Sequence, residues 1–492
     1  MGQLSFFIPS NAPPEAVAGL SRAHLAGGYD QAPMPGSVTV ADNVLTLSSP
    51  DFESGYVAVP WPVDGFGLMV TTTATLRGRS EPYHLTVEMA RGKINQVRNQ
   101  TTEWIDIGLQ PGPGFIEKLN LVTKRFGPAA VNGGEPDADE TATAVLVEAY
   151  NLADRLVRTY TEQVFTTRHQ QMPRLDTSLG CKLSVVPDAA GAEVFLAAFN
   201  AATLVPVWKS VEPSQAQFEW SRFDELMNWA GAAGLRVTVG PILDLNPHSL
   251  PEWVNEWAGD LPSLAAFFCD YVESFISRFR GKAGRWLVFT GFNHAEVLGL
   301  TEDERLRLAA RVIDAARQAD PEGDVIIGIT DPWGEYKTNP AISYSPLVFA
   351  DTLLRTGLRL AALDLDLRTN AVEARRDLLD VARLIESFSV LGIPLQVNVS
   401  FPIGAVTSLG DSPADETDTS LALQSINLTA IGKLHGLLSL AVGLPQIRNV
   451  TWDQWADDAP WGSPGCGMEI DGQARSIAAT DVFAGVRQAH LE

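Results

Sequence analysis

The sequence predicts an α/β protein: a C-terminal (β/α)8 TIM barrel, an N-terminal β-sandwich and a helical linker between them. Two observations carry this. From about Leu179 onward, short apolar strands alternate with amphipathic helices eight times over roughly 310 residues, which a closed barrel accommodates better than an open sheet. Before that point the chain is rich in β-branched residues with partial alternation, broken by Gly, Pro and Asp turns, and a sandwich buries such strands. Neither Gly-x-Gly-x-x-Gly nor a P-loop occurs, so a nucleotide-binding sheet has no support.

In chain order, "SVTVADNVLTLSS", "SGYVAVPWPV", "GLMVTTTATL" and "PYHLTVEMARGKI" read as strands of a domain spanning residues 1–126. "GPAAVNGGEPDAD" is a polar break. From Glu140 to about Gln170, Ala144, Val147, Leu152, Leu156 and Tyr160 recur at helical spacing, so 127–178 is a linker with a connecting helix. The barrel occupies 179–492. Its strands are expected at Lys182–Val186, Ala201–Val207, Leu235–Val239, Trp286–Phe289, Val325–Ile329, Leu360–Leu365, Leu395–Val399 and Ile447–Trp452. Helical segments fall between them. One opens on the capping box Thr301-x-x-Glu304, and several end in Gly.

Composition narrows the partners. Acidic residues outnumber basic ones 59 to 36, a net charge of −23, which disfavours nucleic acid and anionic membranes. Three cysteines, far apart, give neither a disulfide framework nor a metal clip. No cofactor motif is present and no metal is expected. The N-terminus lacks the features of a signal peptide, and no apolar run reaches membrane-spanning length; the expectation is a soluble, cytoplasmic protein, with a secreted origin left open. Twelve tryptophans suit sugar faces, although for any single one a core role is the plainer reading. Arg91, Lys93, Arg98 and Arg168 form a basic cluster, read first as a salt-bridged interface and second as a groove wall.

In a barrel, chemistry gathers where strands end at their C-termini. Those positions carry Trp208 and Lys209 after strand two, and Asp244 and His248 after strand three. Asn293, His294 and Glu296 follow strand four, and Trp333, Glu335 and Tyr336 follow strand five. Asp364 and Asp366 end strand six, Asn398 and Ser400 lie on strand seven, and Trp452 and Asp453 end strand eight. Carboxylates, amides and tryptophans converging at one mouth describe a carbohydrate site, since sugar hydroxyls take polar side chains and ring faces take aromatics. Cleaving a glycosidic bond requires two carboxyl groups, one protonated and one ionised.

The stretch 199–254 carries a Phe-Asn opening, Lys-x-x-Glu-Pro and Leu-Pro-x-Trp-Val. Together with "GKAGRWLVFTG", "VTWDQWADDAPW" and "GMEIDGQARSIAATDVF", it resembles family 10 glycoside hydrolases, the xylanase family, over roughly residues 180–488. The resemblance implies a (β/α)8 barrel of that clan and cleavage of β-linked polysaccharides. It also implies that both family glutamates are missing: the acid/base position falls on Gly291, after Thr290, and the nucleophile's strand reads "VNVSF".

Replacement carboxylates are therefore sought. Glu335 leads, against a reading as a solvated loop residue. Asp364 follows, because like charge at Asp366 would raise one pKa; the plainer alternative is an inward Asp bonded to Lys or Arg. Glu296 and His294 form a further acid/base candidate or a helix-capping pair. Trp208, Lys209, Asp244, His248, Asn293, Trp333, Tyr336, Asp366, Trp452 and Asp453 are the expected substrate contacts. The expectation is a glycoside hydrolase acting on a β-linked poly- or oligosaccharide, with a sandwich resembling a carbohydrate-binding module. The alternative is an inactive glycan-binding or scaffold barrel. Oligomeric state is unspecified.

Overall fold

A computed structural model describes the chain apart from residues 1, 29–30, 51–52, 247–248, 295–297, 370–373, 404–415, 458, 464, 471–472 and 475–476. The side chains of 136, 416–429, 469–470, 473–474 and 477–478 also fall outside the description. The chain divides into two compact units. The first is Met1–Thr167 with Trp333–Ser345 and Val372–Ser387; the second is Arg168–Pro332 with Pro346–Ala371 and Phe388–Glu492.

The first unit contains two predominantly antiparallel sheets. In one, Gly2–Phe7 pairs with Val44–Ser49, which pairs with Ser37–Ala41, and Tyr83–His84 adds a parallel edge. In the other, His24–Gly27, Ser54–Val63 and Gly67–Thr72 form the body. The last stretch expected to be a strand, "PYHLTVEMARGKI", becomes helix at Leu85 and continues to Asp106. The short alternation Thr-Val-Glu-Met misleads there. Leu85, Met89, Ile94, Val97 and Trp104, all buried, recur near helical spacing, and that longer period decides. Gly92 lets this helix press on the sheet: a Cβ would meet the carbonyl oxygen of Thr72 at 2.1 Å. Helices Phe115–Val131 and Pro136–Gln171 follow, the latter matching the predicted connecting helix.

The second unit is a closed barrel of eight parallel strands, each overlapping an expected one, although the first begins four residues before Lys182 and ends at Leu183: β1 (Ser178–Leu183), β2 (Ala201–Leu204), β3 (Arg236–Val239), β4 (Arg285–Thr290), β5 (Asp324–Ile329), β6 (Ala362–Asp366), β7 (Leu395–Val399) and β8 (Ile447–Trp452). A bridge between Val239 of β3 and Trp286 of β4 completes the ring. The predicted capping box forms: the Thr301 hydroxyl accepts from the Glu304 amide while the Glu304 carboxylate accepts from Thr301 N.

Alternation along the strands places two kinds of residue on two faces. Leu363, Leu365, Val397, Val399, Val450 and Trp452 are buried and share one face; Trp452 meets Phe483 of the C-terminal helix, which identifies that face as outward. The inward face carries Lys182, Thr203, Asp364, Gln396, Asn398, Asn449 and Thr451, linked by strand register. Leu287, Ile326 and Ala362 form an apolar layer nearer the strands' beginnings. Branched apolar side chains ordinarily fill such a barrel. Here its C-terminal half is polar.

Candidate active site

The site is assembled from the ends of β1, β6, β7 and β8. Lys182 Nζ donates to Asp453 Oδ1 at 2.8 Å, and Asn398 Nδ2 donates to the same oxygen at 2.8 Å. Arg368, just past β6, reaches the other oxygen of Asp453 at 3.3 Å and forks onto Asp366, its Nε lying 2.7 Å from Oδ1. Trp461 Nε1 donates to the backbone carbonyl of Asp453 at 2.8 Å. Strand register brings these groups together: Asp364 lies beside Gln396 and Asp366 beside Asn398.

Their environments separate the carboxyl groups. Burial raises the Asp364 pKa to about 6; Lys182 offsets part of this, and the charges of Asp366 and Asp453 add to it. Asp453 moves the opposite way. Burial opposes its charge, but Arg368 and Lys182 outweigh burial and hold it below the usual carboxylate range. Burial also raises Asp244, partly offset by hydrogen bonds from Asn246 N and Ser249 Oγ, each 3.0 Å long. His294 is lowered by burial and so favours its neutral form, although Asp366 and Asp244 pull against that. The mouth thus contains one carboxyl, Asp364, that binds its proton more tightly than Asp453, which fixed cations keep ionised.

Of the residues expected from the sequence, Asp244, His294, Asp364, Asp366 and Asp453 share this electrostatic neighbourhood. Trp208 and Trp452 do not offer stacking faces. Trp208 is 1% exposed, stacked on Tyr271 and bonded to Glu212; Trp452 is fully buried on the outward face, its Nε1 bonded to Cys466 O. A ring enclosed on both faces cannot receive a sugar, so these two belong to the core. Lys209 is exposed on a short helical turn. Asn293 is 1% exposed, with its amide closed on the backbone of Thr330 through bonds of 2.7 and 3.1 Å; it joins two strand ends. His248 and Glu296 lie outside the described residues.

Trp333, Glu335 and Tyr336 belong to the first unit. The Glu335 side chain is 46% exposed and ion-paired with Arg376 at 2.8 Å, and the Arg376 guanidinium lies 4.7 Å from the Trp333 ring centre. Partial burial opposes the Glu335 charge, but Arg376 and His24 hold its carboxyl below the ordinary range. Its turn, Glu335–Thr338, contributes Thr338 to a cavity of about 400 Å³ lined also by Arg22, His24, Met34 and Asn339. Tyr336 bonds to Tyr344 O at 3.4 Å.

Lys182 and Arg368 were not among the expected contacts, Asn398 was noted only as a strand-end amide, and Trp461 ends the quoted "VTWDQWADDAPW", where the resemblance puts an aromatic position with its role left open. A lysine within an otherwise apolar strand, and an arginine two residues beyond Asp366, were the available signals. At the end of β4, Thr290 Oγ1 lies 2.9 Å from Thr330 Oγ1, and Gly291 has φ 84°. A glutamate in that left-handed conformation would be strained.

The glycosyl hydrolase family 10 model matches residues 182–296, from the lysine of β1 through the loop after β4. The barrel is family-10-like. A GH10 structure from Paenibacillus barcinonensis aligns with a TM-score of 0.50 at 17% identity, covering 65% of this chain and 97% of that one. Native xylanase 10C from Cellvibrio japonicus aligns with a TM-score of 0.50 at 11% identity, covering 64% of this chain and 71% of that one. At these identities the likeness is one of fold. Among the described residues, no cluster of three His, Cys, Asp or Glu is placed to hold a metal ion, and no helix is long and apolar enough to cross a membrane.

Proposed function

We propose that the mouth of this family-10-like barrel is the active site of a glycoside hydrolase for β-linked poly- or oligosaccharides. In this reading Asp364 is the general acid and Asp366 the second carboxyl group. The observation that carries it is the divergence of carboxyl environments at one mouth: Asp364 is raised to about 6 and Asp453 is held below the usual range, while Arg368 forks onto Asp366. Separating the proton affinities of neighbouring carboxyls is how a site obtains an acid and a base at one pH. Two residues of strand rise place the two Cβ atoms roughly 7 Å apart. Carboxyl separations of about 5–9.5 Å serve glycoside cleavage. Asp364 would protonate the leaving oxygen, and Asp366 would attack the anomeric carbon or activate a water there. Lys182 and Arg368 would hold Asp453 ionised, and Arg368 would fix the position of Asp366. Glu335, committed to Arg376, is given no step.

The test is release of reducing ends from β-linked glycans, xylan first because one similar fold is a xylanase. Wild type should release them, and Asp364→Asn should lose about 100-fold or more, the usual scale for a general acid. Equal release by both proteins would remove Asp364 from the mechanism.

A second reading is a glycan-binding barrel without turnover. It is favoured by the ion pairs that engage Asp366 and Asp453, and by Thr290-Gly291 and Asn398 at the ends of β4 and β7. That reading expects no reducing-end release by wild type, and glycan affinity that survives in Asp364→Asn.

A further inference from the structure

Two amides on the inward face of β7 each leave one buried polar atom without a hydrogen-bond partner among the described residues: Asn398 Oδ1 and Gln396 Nε2. Each residue is only 2% exposed. The orientation of Asn398 is dictated by its neighbour. Asp453, ionised, can only accept, so the Asn398 NH2 must face it, as the 2.8 Å bond shows, and Oδ1 must point away. Asp453 is itself fixed by Lys182 and Arg368, so the amide is held rigidly. Gln396 is two residues earlier on the same face and lies in register with Asp364. Folded proteins rarely leave a buried donor or acceptor unmet, and these two lie on the inward face beside Asp364, where a guest can satisfy them.

We propose that Asn398 and Gln396 form the specificity pair of the barrel site, reading sugar hydroxyls beside the bond that Asp364 serves. Asn398 Oδ1 accepts from one hydroxyl, and Gln396 Nε2 donates to a hydroxyl or ring oxygen. One acceptor and one donor, both uncharged, select a neutral polyhydroxyl ligand. They give no advantage to a carboxylated or cationic one. The inference rests on the glycan reading above and adds its hydroxyl-recognising residues.

The test is calorimetric affinity for xylohexaose, with cellohexaose and mannohexaose in parallel, together with thermal melting of the free proteins. The variants are Asn398→Leu and Gln396→Met, both close to isosteric; Lys182 and Arg368 still hold Asp453 in the first. Each variant should weaken binding of the preferred glycan 10- to 100-fold. The melting temperature of each should stay equal to wild type or rise, because an unmet buried polar atom has been removed. Either variant showing that pair of results supports the assignment even if the other fails to fold. Unchanged affinity in a folded variant overturns it, and unchanged affinity with a lowered melting temperature shows that the amides meet only internal water or structure. Should wild type bind none of the three glycans, the glycan reading itself falls, an outcome distinct from bound glycan with unaltered variants.

Discussion

Asp364 shows how one residue joins chemistry to stability. Its folded pKa of about 6 lies above the unfolded value of 3.8. Below pH 3.8 both states hold the proton and the residue contributes nothing. Between 3.8 and 6 the unfolded chain ionises first, and the folded state loses stability as pH rises. Well above 6 the loss is complete, on the order of 3 kcal/mol. Asp364→Asn should therefore stabilise the protein at pH 7.5 by up to roughly that amount and leave it almost unchanged at pH 4. Urea unfolding at the two pH values measures this, and an equal effect at both would contradict the assignment. The same variant is expected to lose activity, so a gain in stability would accompany a loss of function.

Among elements, the helix Leu85–Asp106 departs most from its sequence expectation, and its buried polar face explains its importance. Lys93, 2% exposed, donates to Gln96 Oε1 at 2.6 Å, pairs with Asp377 and lies 4.4 Å from the Tyr150 ring centre. Gln96 reaches Asp380, and Trp104 Nε1 reaches Glu386 at 2.9 Å. Burial lifts Asp377 to about 6, and Lys93 provides the largest opposing pull. Removing only the cation leaves a buried carboxyl unpaired, so Lys93→Met should cost about 3–5 kcal/mol. The double variant Lys93→Met/Asp377→Leu should recover most of that loss. A denaturant double-mutant cycle provides the measurement, and additive effects would show that the pair is not coupled. Lys93 thus leaves the basic cluster read from the sequence and becomes an interior group. Arg91 pairs with Glu88 on the same helix, and Arg168 caps the carbonyls of Val442 and Gly443.

At the scale of the whole molecule, the two units are interleaved in sequence. The first takes Trp333–Ser345 and Val372–Ser387 from between barrel strands. A fragment 1–167 would lack Asp377, Asp380 and Glu386, and with them the partners of Lys93, Gln96 and Trp104. It should fail to give the near-ultraviolet circular dichroism of fixed aromatic packing or a cooperative thermal transition, whereas the full chain should give both. Cooperative folding of the fragment would show that the inserted segments are dispensable.

The sequence by itself determined the elements whose signals are local. Eight strands of β-branched and aliphatic residues, the capping box at Thr301 and the long helix ending at Gln171 all follow from spacing and side-chain type within a few residues. It also placed Asp364, Asp366 and Asp453 at strand ends. Only the tertiary structure decided what those positions mean. Trp208 and Trp452 sit where sugar-stacking residues were sought, yet their rings are enclosed, because whether a strand-end side chain turns inward or outward depends on register with its neighbours. Lys182, Asn398 and Arg368 gather on Asp453 from three distant parts of the chain. Burial and charge act through space, so the proton affinities that divide Asp364 from Asp453 exist only once the barrel has closed.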